Sequence, residues 1–454
     1  MHGKRSLTRR GFLKRAAGGA AVVGAGPAIV PSSVLGADGK VAPSNRIGVG
    51  MIALGRQAMA RNLTVFLRWP DTEVVALCDV DRWRLDTAPD RAPRYHGGTP
   101  EDAETLKKCP RYTDFREVLA RKDVDAVMIS APDHWHVAMA IAAVKAGKDV
   151  CCEKPLSLCI DHGRILSDTI AGHDCVFRTD SEFRSIPVFH RACELVINGR
   201  IGELRTMRMA VPNWNEPLPQ QPEMPVPEEL DYDLWLGPAP KKPYTEKRVH
   251  PRKSYARPGW YANQDYCNGA LVNWGHHLAD ICQWANGTER SGPVEIEGTG
   301  DFPPADGLWN VVLAFDVRYR YANGVELFYT VVPPSGEKKP YVRFEGSEGW
   351  IQADYGPDKL TAEPASILAE LGADAVRFPL KNEKRDFIDC VKARTQTMED
   401  AEVGHRATSL CQLGYIACQT GEKLQWDPAR ERFLNSDEAN QLLTRPPGRE
   451  PWRV

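Results

Sequence analysis

Apolar residues along this chain follow two periods. Between residues 46 and 152, short continuous apolar runs alternate with stretches in which apolar positions recur every three or four residues. Arg46 to Ile52 (RIGVGMI) reads as a strand, and from Ala58 onward Met59, Leu63, Phe66 and Leu67 share a helical face. Glu73 to Cys78 is a second strand, Phe115 to Ala120 a helical face, Asp125 to Ser130 a buried strand, His136 to Ala146 a helix and Asp149 to Cys152 a strand. This alternation predicts an α/β domain with a doubly wound, Rossmann-type parallel sheet that binds ligands at the carboxyl ends of its strands. From Gly202 the period shortens to two: Leu204 to Val211, Val311 to Phe315, Val325 to Val331 and Tyr341 to Glu345 alternate between glycine turns. Pro217 to Pro227 holds five prolines and reads as a surface excursion or lid. Arg385 to Val391 and Glu402 to Thr420 read as helices, and neither an internal repeat nor a low-complexity block is present.

Composition narrows the class. The 454 residues are 42% hydrophobic and 26% charged, enough for two or three domains, which excludes disorder, fibre and membrane bundle. The net charge of −2 hides an asymmetry, because residues 1–37 carry six Lys/Arg and no acid, leaving a body of net charge −8. Such a body has no electrostatic footprint for nucleic acid, and no apolar run reaches the roughly 18 residues of a stable membrane insertion. Thr8-Arg9-Arg10-Gly11-Phe12-Leu13-Lys14 before the weakly apolar Ala16 to Val30 resembles a twin-arginine export signal, with Arg9 and Arg10 as the receptor-read pair and a cut near Val34 to Ala37. That route predicts a periplasmic or exported protein, folded and carrying its cofactor before export. The 12 cysteines include no Cys-x-x-Cys pair, and Cys78, Cys151, Cys152, Cys282 and Cys418 sit in apolar stretches, so core packing is their expected role.

Two glycine frames compete after the first strand. Gly48-Val49-Gly50-Met51-Ile52-Ala53 would place the turn inside the strand, whereas Ala53-Leu54-Gly55-Arg56-Gln57-Ala58 places it at the strand end. The second is the better phosphate loop, with Ala53, Gly55, Arg56 and Gln57 as cofactor contacts and Gly55 at the close approach to the pyrophosphate. Ala53 stands where a glycine normally turns the chain, which requires that its φ stay negative. Asp79 ends the next strand, where an acid meets the adenosine ribose and repels a 2′-phosphate, so NAD is expected; Arg82 and Arg84 nearby oppose that preference. Two other loops lie at strand ends, Ala131 to His136 and Glu153-Lys154-Pro155. Pro132, His136 and Glu153 are cofactor-contact candidates there, with packing or capping as the competing role of His134 and His136.

Asp133-His134-Trp135-His136, Glu153-Lys154-Pro155 and Gly269 to Asp280 (GALVNWGHHLAD) in this order and spacing resemble the Gfo/Idh/MocA oxidoreductases over residues 45–425. Beyond the export signal read at 1–37, the resemblance implies an NAD-binding Rossmann domain at 45–168, an α/β substrate and oligomerisation domain at 169–380 and helices packing near the first domain at 381–425, leaving a tail at 426–454. The second domain is then a large, mainly antiparallel sheet whose open face serves a homo-oligomer. Lys154 is the expected donor to a substrate hydroxyl, also binding cofactor, and His277, at the family's Asp-plus-four position, the acid-base group. The family pattern has aspartate where this chain has Asn273, so an amide is expected to orient His277 and leave it a weaker base. His276 is expected to pack behind it.

The aromatic residues Tyr255, Trp260, Tyr261, Tyr266 and Trp274, with Trp214 and Trp235, suit sugar rings or core packing. Tyr261 is grouped with Lys154, Asn273 and His277 as a catalytic candidate. Arg184 and His190 could approach substrate, and Asp231 to Pro238 is expected to be structural. No metal is expected, since adjacent His276 and His277 cannot easily share one ion. The function implied is hydride transfer between NAD and a hydroxyl of a sugar, sugar derivative or cyclitol. The alternatives are a redox-neutral NAD-dependent glycosidase working by oxidation, elimination, hydration and reduction, and a cofactor-stabilised sugar-binding protein without turnover.

Overall fold

A computed structural model of the chain describes residues 41–95, 98–213, 216–332, 339–356 and 358–453. The signal read at 1–37, with Arg9 and Arg10, and also Trp214 lie outside the described residues. Residues up to Arg46 form a separate unit, described only by a 3₁₀ turn at Pro43–Asn45; everything below concerns the unit from Ile47 onward.

Six strands, β1 (Ile47–Ile52), β2 (Thr72–Cys78), β3 (Arg111–Tyr112), β4 (Ala126–Ile129), β5 (Asp149–Glu153) and β6 (Phe177–Asp180), form an all-parallel sheet in the order 3-2-1-4-5-6. The near-continuous apolar runs of β4 and β5 follow from burial on both faces. Val127, Ile129 and Cys152 join a core with helices Phe115–Leu119, His136–Lys145 and Ile160–Ala171, whereas Ala126, Met128 and Cys151 join one with Arg82–Arg91, Pro100–Lys108 and Glu383–Ala393. Strand order reverses between β1 and β4, which opens a crevice at their carboxyl ends.

The second sheet has nine strands: β7 (Leu204–Pro212), β8 (Glu295–Asp301), β9 (Ala314–Arg320), β10 (Glu326–Val332), β11 (Tyr341–Gly346), β12 (Gly349–Asp354), β13 (Lys359–Glu363), β14 (Leu424–Asp427) and β15 (Arg432–Phe433). Only β7 and β10 pair in parallel. Helices Pro187–Ile197, Gly269–Asn273, Gly275–Ala285 and Ala401–Thr420 bury one face. The strict alternation of β9 turns Asp316, Arg318 and Arg320 to the other face, where Arg318 pairs with Glu297 at 3.0 Å and Arg343 lies over the Trp350 ring.

Four expectations need correction. The expected helix from Ala58 is a π-wound turn, Ala58–Asn62, in which Leu63 N donates to Ala58 O; the apolar spacing survives because Met59, Leu63 and Phe66 still face the core. The parallel sheet takes β6 from beyond residue 168, because Phe177–Asp180 is a short strand flanked by helical patterns. The strand expected at Val311 to Phe315 begins only at Ala314, since Val311 and Val312 are buried in a connecting bend. Residues 426–454 are no tail: β14 and β15 extend the sheet, Asp437–Gln441 is a helix, and Trp452 packs on Trp135 with ring centres 4.9 Å apart. Isolated apolar residues such as Trp426, Phe433 and Leu443 carry that packing without any visible period.

Candidate active site

The crevice opens into a cavity of about 610 Å³, lined by Ala53, Gly55, Arg56, Gln57, Asp79, Pro132, His136, Glu153, Lys154, Tyr261, Asn273 and His277. All twelve residues selected from the sequence thus meet in one place. Trp274, Trp260 and Trp235 of the aromatic group line it too, and so do Asp133, Glu182, Arg61, Arg257 and Tyr355, which the sequence did not single out, although Asp133 stood inside a quoted motif.

At the end of β1 the chain turns through Ala53, whose φ of 66° lies in the left-handed region. This overturns the requirement that φ stay negative: the turn imposes the glycine conformation on an alanine. Its amide donates to Cys78 O at 2.8 Å, and Leu54 N donates to the Asp79 carboxylate at 2.6 Å. Asp81 N donates to the other Asp79 oxygen at 2.8 Å, so Asp79 braces the loop as well as facing the cavity. Burial raises its carboxyl to about 6. A Cβ added to Gly55 would meet only the Arg84 guanidinium, at 3.8 Å, leaving that backbone open on the cavity side for a pyrophosphate. Gly48 and Gly50 lie within β1, where a Cβ would strike Asp123 O at 2.1 Å and Val118 Cγ1 at 2.6 Å; theirs is a packing role.

Between β4 and the helix at His136 the chain runs through a 3₁₀ turn, Asp133–Trp135. His136 directs both ring nitrogens to carbonyl oxygens, Pro155 O and Ala131 O, each at 2.8 Å, which ties the ends of β4 and β5 together. It borders the cavity with its polar atoms already engaged. His134 instead packs among Trp135, Trp235 and Tyr266, and burial lowers its pKa to about 3. Glu153 accepts from Asn62 Nδ2 at 2.9 Å, and the same amide reaches Ser130 Oγ; burial raises the Glu153 carboxyl to about 8.

Lys154 follows β5 before a cis bond to Pro155 and donates from Nζ to both Asn273 O and Asn273 Oδ1, at 3.0 Å each. Asn273 Nδ2 in turn donates to both oxygens of Asp133, also at 3.0 Å. The expected pairing of Asn273 with His277 is therefore absent. Trp274, between Gly269–Asn273 and Gly275–Ala285, keeps helical backbone angles (φ −80°, ψ −38°), so it is the engagement of the Asn273 amide with Lys154 and Asp133 that keeps it from His277. A Cβ on Gly275 would meet Tyr329 Oη at 2.3 Å, so this helical position is held to glycine by the close approach of β10. Asn273 spans a cation and an anion, a task its amide performs without adding charge. Burial raises the Asp133 carboxyl above its usual range.

His277 stacks on Phe183 (4.6 Å, 20°) and shares a 2.8 Å hydrogen bond between Nδ1 and Ser181 Oγ. Nε2 lies 3.7 Å from a Glu182 carboxyl oxygen, and in the tautomer that donates Nδ1–H to the serine it keeps the lone pair that takes a proton. Burial, then Lys154, His276, Lys384 and Arg61, lowers its pKa well below the ordinary value, so the ring is neutral and able to accept a proton. His276 is fully buried between Thr408 and Glu399, behind the site. Arg184 and His190 do not reach the cavity: Arg184 forms a buried pair with Asp280 (2.7 and 2.6 Å) and His190 bonds Arg184 O. Tyr261 sits at the rim under Arg257, its hydroxyl buried. Tyr255 and Tyr266 belong to neighbouring packing clusters. Residues 217–227 do not border the cavity.

The second domain also packs against the segment that follows β2. Arg84 donates to Ser254 O at 3.0 Å, His250 Nε2 lies 3.0 Å from the Asp81 carboxylate, and Asp231 N donates to Val80 O at 2.9 Å. Among the described residues no group of His, Cys, Asp and Glu has metal-binding spacing, and no helix is long and apolar enough to cross a membrane.

Residues 47–181 match the family model described as "Oxidoreductase family, NAD-binding Rossmann fold", and residues 213–454 that described as "Oxidoreductase family, C-terminal alpha/beta domain". An uncharacterized oxidoreductase of Synechocystis sp. is 26% identical over 200 residues, 43% of this chain and 44% of its own length. A glycosyl hydrolase family 109 protein of Saccharopolyspora erythraea is 35% identical over 125 residues, 27% of this chain and 26% of its own. The chain thus spans under half the length of these curated relatives. Among solved structures, levoglucosan dehydrogenase in complex with NADH and levoglucosan superposes with a TM-score of 0.60 at 15% identity, covering 84% of this chain and 99% of that one, which is a likeness of fold.

Proposed function

Because this chain belongs to the Gfo/Idh/MocA oxidoreductase family, we propose that it moves a hydride between NAD and a hydroxyl of a sugar, sugar derivative or cyclitol. The observation that carries this reading is that Lys154 and His277 line the same cavity as the phosphate loop and Asp79. When bound, NAD supplies the hydride acceptor; Ala53, Gly55, Arg56 and Gln57 would hold its pyrophosphate and Asp79 its adenosine ribose. Lys154 donates a hydrogen bond to the reacting hydroxyl and stabilises developing alkoxide charge, while Asn273 and Asp133 fix its ammonium. His277 takes the hydroxyl proton at Nε2 and returns it in the reverse direction. Trp274, Tyr355 and Tyr261 offer aromatic faces for the C–H side of a sugar ring. Export by the twin-arginine route and assembly through the outer face of the nine-stranded sheet complete the reading, testable by fractionation and sedimentation.

The second reading is the redox-neutral glycosidase, supported by the contacts of residues 231–254 with the Asp79-bearing segment after β2, which would help hold a cofactor through many cycles. Native protein should be purified, denatured and its released ligand identified by absorbance and mass. NADH accumulating in proportion to sugar consumed supports the dehydrogenase; turnover of a glycoside without added NAD supports the cycle. His277→Ala should lose at least ~10²-fold in rate, and full activity in that variant would remove His277 from the mechanism. Sugar binding without turnover across a broad panel would support the non-catalytic alternative instead.

A further inference from the structure

The acid-base histidine draws no carboxylate from its own helix. Asn273 is turned to Lys154 and Asp133, and Asp280 is held by Arg184. A carboxylate does face its outer nitrogen, from a different segment: Glu182 Oε2 lies 3.7 Å from Nε2. Glu182 directly follows Ser181, whose hydroxyl engages Nδ1, so two consecutive residues beyond β6 address the two ring nitrogens of His277. The neighbouring acids are committed elsewhere, Glu153 to Asn62 and Asp180 to Lys384. Glu182 also lines the cavity, and its side chain is 22% exposed against 6% for His277, which makes it the route from the imidazole towards water.

We infer that Glu182 is a proton relay for His277, receiving at its carboxylate the proton that Nε2 takes from the substrate hydroxyl and passing it to solvent. This rests on the oxidoreductase reading above. In the relay step the Nε2–H bond breaks and an O–H bond forms on Glu182, so the imidazole returns to its neutral state and no electrons move. The glutamic acid then loses its proton to water. A 3.7 Å separation requires a slight closure or one bridging water, as is common before substrate binds. The surroundings favour the transfer. Burial raises the Glu182 carboxyl while it lowers His277, which draws their acid strengths together. Lys154, Lys384 and Glu383 act on Glu182, Lys154, His276, Lys384 and Arg61 act on His277, and Tyr355 and Arg61 stand on the cavity wall beside both.

The test uses the full chain with its bound cofactor, comparing wild type, Glu182→Gln and Glu182→Asp. With levoglucosan as probe sugar, Glu182→Gln should lower kcat by about 10- to 100-fold with little change in KM. Glu182→Asp should retain most of the rate, and formate should restore part of it to Glu182→Gln. Unchanged kcat in Glu182→Gln, or loss without rescue by formate and with collapse of the fold, would overturn the relay. A second measurement is independent of turnover: ¹⁵N NMR titration of His277, assigned with His277→Gln. Removing the Glu182 charge should lower the His277 pKa by about 0.8 unit or more, the water-screened minimum at this separation; an unmoved titration would overturn the pair. If wild type oxidises no sugar at all, the oxidoreductase reading fails, and the titration still decides whether Glu182 and His277 are coupled.

Discussion

Replacing Asn273 with aspartate tests the arrangement around Lys154 most sharply. The new carboxylate would sit 3.0 Å from Lys154 Nζ and, on its other side, 3.0 Å from the Asp133 oxygens. At an effective dielectric constant of 20, each unit-charge interaction at that distance is worth about 5.5 kcal/mol, one attractive and one repulsive, so to first order they cancel. What remains is burial, and the protein contains its own yardstick. Asp79 is exposed to the same 7% as Asn273 and, even with two backbone amides bonded to it, titrates at about 6. A carboxyl at about 6 in the folded state and ~3.9 in the unfolded state carries a penalty of about 3 kcal/mol once both are ionised. The sign follows from the raised folded pKa: stability is intact below pH ~4, falls by ~1.4 kcal/mol per unit between pH 4 and 6, and then stays level. Urea unfolding of Asn273→Asp and wild type at pH 5, 6, 7 and 8 should therefore show a gap of about 1.5 kcal/mol at pH 5 that nearly doubles by pH 7 and then holds. A gap that widens towards acid, or no gap at all, would mean that Lys154 alone governs the new charge and that Asp133 is not its neighbour.

Two further outcomes follow from the geometry. Ala53→Gly should stabilise the protein by about 0.5–1 kcal/mol by releasing the left-handed strain at φ 66°, while Ala53→Val should destabilise it; paired urea midpoints decide, and stabilisation by valine would refute the strain argument. Trp452→Ala should cost about 3 kcal/mol by opening a void against Phe115 and Trp135, read as a lower thermal midpoint with loss of NAD-induced protection.

The first sheet was legible because its strands are buried on both faces and stand out as apolar runs between helical patterns. The rule that parallel sheets bind at strand carboxyl ends then collected nine of the lining residues, while Tyr261, Asn273 and His277 came from the aromatic pattern and the family resemblance. The same rule, applied to β6, would have found Glu182 two positions past Asp180. The orientation of each group was not legible, since it depends on partners 96 residues away for Ser181 and His277, 119 for Lys154 and Asn273, and 140 for Asp133 and Asn273. The backbone of Ala53 was misjudged because residue preference is a weak guide where two strand-end hydrogen bonds dictate the turn.

The packing of Trp452 onto Trp135 bears on how the protein is made. Trp135 lies in the loop that frames the dinucleotide crevice, yet its cover emerges from the ribosome more than three hundred residues later, after β14 and β15 have closed the other sheet. An emerging chain could assemble the six-stranded sheet early, as N-terminal domains tend to do. Trp135, which borders the crevice, gains its contact with Trp452 only once translation has passed residue 452. A ring that borders the nucleotide crevice thus owes part of its packing to a segment made long after it.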